Sequence, residues 1–198
     1  MRKVIVNEFM SLDGVVQAPG AADEDMSGGF AHGGWHMRYM GDELGRRWVL
    51  ESIVAAGGFL LGRRTFEIFA AYWPNAPEEE QVIAEPLNTK PKYVASTTLS
   101  DPLDWQNSTV LQGDVEEAVA ALKQEEGGDV HVIGSAELVR TLIEHDLVDE
   151  FRLVIDPVTL GGGKRIFRDD GSLRPLRLVA SEVTSTGAIL ATYAPGDS

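Results

Sequence analysis

The chain has no cysteine, which excludes disulfides, thiolate metal centres and a cysteine nucleophile. No apolar run is long enough to span a bilayer, and the opening MRKVIVNEF lacks the apolar core and small-residue cleavage site of a signal peptide. The expectation is a soluble cytoplasmic protein with no membrane partner. Basic residues are scarce: 17 Lys and Arg against 31 Asp and Glu leave a net charge of −14. Such a field repels nucleic acid, so no nucleic-acid partner is expected, and an anionic ligand must be held at a few local clusters. Arg63-Arg64 is the most compact of these. Neither GxGxxG nor GxxxxGK[ST] occurs, which removes support from a standard Rossmann site and from a nucleoside triphosphatase. The H-x-E and P-C-x-x-C signature of zinc deaminases is missing too. His32 and His36 are four apart, but Gly33-Gly34 between them and the lack of a third ligand argue against a metal.

What is present alternates between strand and helix patterns over 198 residues, a length suited to one sizeable core. Residues 2–9 read as a buried strand around Val4-Ile5-Val6, and residues 10–40 as a long irregular stretch of the kind used for lids and binding loops. A helix is expected from Asp42 to Ala56, a strand at Phe59-Leu60-Leu61 and a helix from Arg64 to Tyr72, closed by Pro74 and Pro77. The acidic run Glu78–Glu80 reads as solvated loop. Further strands are expected at 92–96 and 108–112, then a helix capped by Asp114, the strand VHVIG, a helix from Ala136 to His145 and the strand DEFRLVIDP. The tail, 176–183 and 188–194, reads as a strand pair turning at Thr186-Gly187. The pattern predicts a single α/β domain over 1–198, with a largely parallel sheet covered on both faces and an antiparallel edge.

Three strands end in small or hydroxyl residues before the next element: LLG-RRT (60–65), YVAS-TT (93–98) and HVIG-SA (131–136). Ligands of open α/β sheets lie beyond the carboxyl ends of the strands, where helix N-termini present free N–H groups. Gly lets the backbone approach a phosphate, Ser and Thr add hydrogen bonds, and Arg adds bidentate ones. An ordinary strand-to-helix connection is built from the same residues, so spacing alone leaves both readings open.

Taken in order, Ser11-Leu12-Asp13-Gly14, Leu61 to Glu67, Ser96-Thr97-Thr98, Val132-Ile133-Gly134-Ser135 and the stretch from Leu147 through Pro157 to Gly163 are familiar. The chain resembles the dihydrofolate reductase-like superfamily, in the bacterial branch related to the C-terminal reductase domain of the riboflavin-biosynthesis deaminase–reductase. The resemblance implies a three-layer α/β/α fold and an NADPH-dependent oxidoreductase acting on a small heterocycle, pterin-like or pyrimidinone-like. It implies that Gly62, Arg63, Arg64 and Thr65 sit beside the cofactor phosphates. Ser96, Thr97 and Thr98 would help hold the adenosine 2′-phosphate, and Ile133, Gly134, Ser135, Ala136 and Glu137 would wrap the pyrophosphate. The loop Asp13–Gln17, including Val16, would close over the nicotinamide. Phe9, Trp35 and Leu50 are expected to contact substrate. Homodimers are common among such relatives, and the C-terminal hairpin is the expected interface.

The chain departs from the pattern at two substrate positions. The helix carboxylate of dihydrofolate reductases falls on Arg46, with Asp42 and Glu43 about a turn earlier, so Glu43 is the candidate catalytic acid. The Lys that riboflavin-type reductases carry on the first strand is Asn7. His36 is a second candidate proton donor, and Phe30, Trp35 and Tyr39 could stack on a flat ring. An NADPH-binding or regulatory module without efficient turnover is the alternative that these departures leave open.

Overall fold

The computed structural model describes residues 1–196. Its eight strands are β1 (Val4–Ser11), β2 (Gly58–Gly62), β3 (Lys92–Ala95), β4 (Ser108–Val110), β5 (Val130–Ile133), β6 (Glu150–Asp156), β7 (Leu176–Val183) and β8 (Ile189–Pro195). The helices are α1 (Glu43–Ala55), α2 (Arg63–Tyr72), α3 (Gln81–Thr89), α4 (Val115–Gln124) and α5 (Ala136–Glu144). One sheet runs β4-β3-β2-β5-β1-β6-β8-β7. The first six strands are parallel, while β8 is antiparallel to both β6 and β7. Apolar runs such as Val4–Val6 and Phe59–Leu61 suit parallel strands covered on both faces, and all six residues are buried. One core packs Val4, Val6 and Val132 under α4 and α5; the other packs Phe59, Leu61 and Val94 under α1, α2 and α3. This is the three-layer, mostly parallel arrangement with an antiparallel hairpin that the patterning predicts.

Local chemistry explains the ends. Asp42 caps α1, accepting from the Gly45 N–H at 3.0 Å, and its other oxygen accepts from the Ser185 hydroxyl and N–H. These bonds, that of the Ser185 side chain first, hold its carboxyl at about 2 and tie α1 to the β7–β8 turn. Between α1 and β2 the backbone of Gly57 lies against that of Gly128. A Cβ on Gly57 would come within 2.4 Å of the Gly128 carbonyl carbon, so no larger residue fits. Two expectations differ in detail. Asp114 precedes α4 but its side chain makes no capping bond. The patterning predicts no element directly after Glu80, where α3 forms with Pro86 inside it.

Candidate functional site

The carboxyl ends of β2, β3 and β5 lie side by side, and each leads into one of the turns singled out above. Ser135 joins two of them. Its hydroxyl accepts from the Gly62 N–H at 2.9 Å and donates to the Thr65 hydroxyl at 2.9 Å. Gly134 and Ser135 both take the left-handed conformation, with φ of 58° and 69°. A Cβ on Gly134 would press on the Thr65 side chain at 3.3 Å and sit at a positive φ, so the turn favours glycine there. No side chain caps the N-terminus of α2 or α5. Two helix starts, at Arg63 and Ala136, therefore offer free N–H groups and positive dipole ends at one edge, the arrangement that receives a phosphate group. Ile133, Gly134 and Ser135 are half-buried here, Ala136 is buried, and Glu137 points outward to pair with Arg140 at 2.7 Å.

At the neighbouring turn the Ser96 hydroxyl accepts from the N–H groups of Thr98 and Leu99, leaving Thr97 and Thr98 exposed. Arg63 is held by Glu67 at 3.1 Å, and Arg64 by Asp25 at 3.1 Å and the Ser27 hydroxyl at 3.0 Å. Both guanidinium groups are about half exposed, so these pairs are weak and an incoming phosphate can compete for them.

The central cleft comes from unequal strand lengths. β1 pairs with β5 over Val4–Asn7 but with β6 as far as Ser11. In a parallel ladder alternate residues face opposite neighbours, and the Val130 N–H bonds Lys3, so the odd residues of β1 face β5. Phe9 thus presents its N–H and C=O where β5 has ended. Loops frame this edge. Asp13 accepts from Ser11, Leu160 and Gly161, bonds that hold it at about 2. The Val16 N–H bonds the Lys164 carbonyl at 2.8 Å, and Val16 itself is buried in the core. Asp25 bridges Arg64 to Lys164. Its burial alone would raise its pKa, but hydrogen bonds from Lys164 and Ser27 pull it well below the carboxylate range. Beyond this bridge a groove of about 510 Å³ runs between Ser27–His32 and Gly162–Lys164. It is the larger cavity, but Arg140 and Lys164 on its walls are already engaged by Glu137 and Asp25.

The convergence of chemically active groups lies instead between β1, β6 and α1. His36 lies on the ring of Phe9, centroids 3.8 Å apart and planes 20° apart, and its Nδ1 is 2.7 Å from Asp156 Oδ2. Asp156 ends β6 and is fully buried, and its Oδ1 has no partner. The buried Asp156 carboxylate accepts from Nδ1 and orients the imidazole, so Nε2 is left to face a ligand. The small cavity here is walled by Phe9, His36, Tyr39, Arg46, Asp156 and Thr184, among others. Arg46 is exposed at the mouth and makes no ion pair among the described residues.

Of the expected substrate and catalytic residues, Phe9 lines this cavity. Trp35 is buried behind it and donates its indole N–H to the Gln17 carbonyl, so it anchors the loop. Leu50 is half-buried on α1 outside the lining, which takes Gly45, Arg46 and Val49 from that helix. Glu43 is exposed on the first turn of α1 and does not reach the lining. Asn7 is engaged elsewhere. Its Oδ1 accepts from Ser52, whose oxygen lies 3.0 Å from His131 Nδ1. Glu8, next along, is buried with Oε1 unpartnered; burial first, and the charge of Glu24 second, holds it well above the usual carboxylate range. Asp156 was not singled out from sequence, because its only signal was an acid closing an apolar strand. Among the described residues no cluster of three or more potential ligands could hold a metal, and no helix is long and apolar enough to cross a membrane.

Comparison with known proteins agrees with this architecture. The family model of the RibD C-terminal domain matches residues 2–190, and the chain belongs to that family. The uncharacterized protein YyaP of Bacillus subtilis (strain 168) is 35% identical over 136 residues, 68% of this chain and 71% of YyaP. Among solved structures, dihydrofolate reductase from Enterococcus faecalis, complexed with NADP(H), superposes with a TM-score of 0.60 at 20% identity, covering 98% of this chain and 97% of that one. A pyrimidine reductase-like protein from Corynebacterium diphtheriae gives 0.63 at 14% identity, covering 100% and 93%. At those identities the two structures establish the shared fold.

Proposed function

We propose that this member of the RibD C-terminal domain family is an NADPH-dependent reductase of a small planar heterocycle. The observation that carries the reading is the Ser135 bridge, which sets two uncapped helix N-termini beside the open edge of β1. When bound, NADPH would supply a hydride. The N–H groups at the starts of α2 and α5 would hold its pyrophosphate, and Arg63 with Ser96, Thr97 and Thr98 its 2′-phosphate. Phe9 offers a main-chain donor and acceptor suited to a carboxamide. Val16 and the loop around it exclude water from the reacting ring. His36, fixed by Asp156, is the proton donor that the geometry favours over Glu43. Relatives of known structure include one complexed with NADP(H), which supports the choice of cofactor. We also infer a homodimer formed through β7, all of whose residues are exposed in the single chain.

Fluorescence titration tests the cofactor. NADPH is expected to bind at least tenfold more tightly than NADH, and Arg63→Ala with Arg64→Ala to remove most of that preference. Absence of NADPH binding, or a double variant with unchanged affinity, would overturn the reading. Binding without oxidation of NADPH across a substrate panel would instead favour a regulatory module.

A further inference from the structure

The pocket around His36 has an unusual charge inventory for one that reads a basic ring. Its carboxylate is spent on an imidazole, and its remaining charged group is cationic. Arg46 stands at the mouth without an acidic partner among the described residues, and Asp156 has one oxygen on His36 and the other unpartnered inside the wall. A ligand carrying a protonated amidine-like edge would meet Arg46 first. A carboxylate would meet it as a bidentate partner, and a carbonyl oxygen would find His36 Nε2 as a donor. The stacked Phe9 and His36 rings form one flat wall of the pocket, against which a flat ligand edge fits.

We propose that this pocket takes a planar, conjugated carbonyl compound bearing a carboxylate, with Arg46 reading the carboxylate and His36 protonating the carbonyl oxygen. The proposal rests on the reductase reading above. In the reaction it implies, the carbonyl carbon gains a hydride from a reduced nicotinamide, which is thereby oxidised. The C–O π pair moves onto oxygen, and that oxygen takes the proton of imidazolium Nε2. The neutral imidazole then recovers a proton from solvent. Negative charge develops on the carbonyl oxygen during this step and is met there by the N–H of His36 Nε2, while Arg46 is occupied by the ligand's carboxylate.

Entry requires one movement. The closed cavity encloses about 10 Å³, room for one water at most. Trp35 and His36 are buried and bonded to Gln17 and Asp156, whereas the side chains of Tyr39 and Met40 are half-buried and make no hydrogen bond. Segment 37–41 is therefore the wall that swings outward, leaving the stacked imidazole in place.

Equilibrium binding without cofactor is the test, read by intrinsic fluorescence or calorimetry with 4-acetylbenzoate, acetophenone, 4-acetylphenyl phosphate and 2,4-diaminopyrimidine. One charge-assisted bidentate contact corresponds to roughly tenfold or more in affinity. The expected order places 4-acetylbenzoate at least tenfold tighter than acetophenone, with 2,4-diaminopyrimidine weakest. Arg46→Gln, a change at an exposed position, is expected to bring 4-acetylbenzoate down to the level of acetophenone. Tightest binding by the diamine, or an unchanged ranking in Arg46→Gln, would overturn the proposal. Stronger binding of the phosphate would overturn the choice of carboxylate. A parallel NADPH titration separates the two readings: if NADPH binds and the ranking fails, only the substrate class falls.

Discussion

Ser135 ties two strand-to-helix turns together with one hydroxyl. It accepts from Gly62 and donates to Thr65 while its own backbone sits at φ 69°, a conformation that costs an L-residue about 1–2 kcal/mol. Removing the hydroxyl keeps that backbone cost and loses the bridge. Ser135→Ala is therefore expected to fold but to bind NADPH about tenfold more weakly, with a small fall in Tm; fluorescence titration and thermal melting on the same sample check both. At this scale the sequence was legible where chemistry is local. Gly62, Thr65, Gly134 and Ser135 are adjacent to strand ends and could be picked out by type. His36 and Asp156 are 120 positions apart, and no residue near either signals the other. Asn7 looked like an open substrate position, but its partners come from α1 and β5 and close it off.

At the scale of elements, α1 is joined to the sheet by a polar chain as well as by apolar packing. His131 Nδ1 lies 3.0 Å from the Ser52 hydroxyl, which donates to Asn7 Oδ1, and this chain links β5, α1 and β1. Burial first, and the positive charge of Arg152 second, lowers the His131 pKa to about 4. The folded state thus resists protonation that the unfolded chain accepts near 6.5. The contribution is full above about pH 6.5 and is lost as pH falls toward 4, a difference of roughly 3 kcal/mol. Urea unfolding between pH 4 and 8 is expected to show this slope, and His131→Asn to flatten it. Strands and helices with clean periodicity were legible at this scale. α3 was not: the preceding acidic run reads as loop and a proline interrupts the helical pattern, while tertiary contacts with α1 and the aromatic turn at Trp73 decide the outcome.

For the whole molecule, the sheet is open at both edges among the described residues, and the two edges differ. β4 is short and flanked by loops, but β7 exposes Leu176, Leu178, Val179 and Val183 together with an unpaired strand edge. Such an edge is normally blunted or covered, and a second copy of the chain covers it most simply. Light scattering behind size exclusion is expected to give twice the 21.5 kDa chain mass, and Leu178→Glu with Val183→Lys to return it to one. The order of strands was beyond the reach of the sequence, since local pattern does not say that β5 inserts between β1 and β2.

That insertion, with β5 ending four residues short of β1, also gives the protein a built-in reporter. The Phe9 amide lies inside an eight-residue strand yet has no ladder partner, while the amides of Glu8 and Met10 on either side are bonded to β6. In hydrogen–deuterium exchange the strand is therefore expected to show a single fast amide between two slow ones. A ligand that seats a carbonyl on Phe9 would silence that site without altering its neighbours. Occupancy of the cleft could then be followed at one backbone proton, with no label and no turnover.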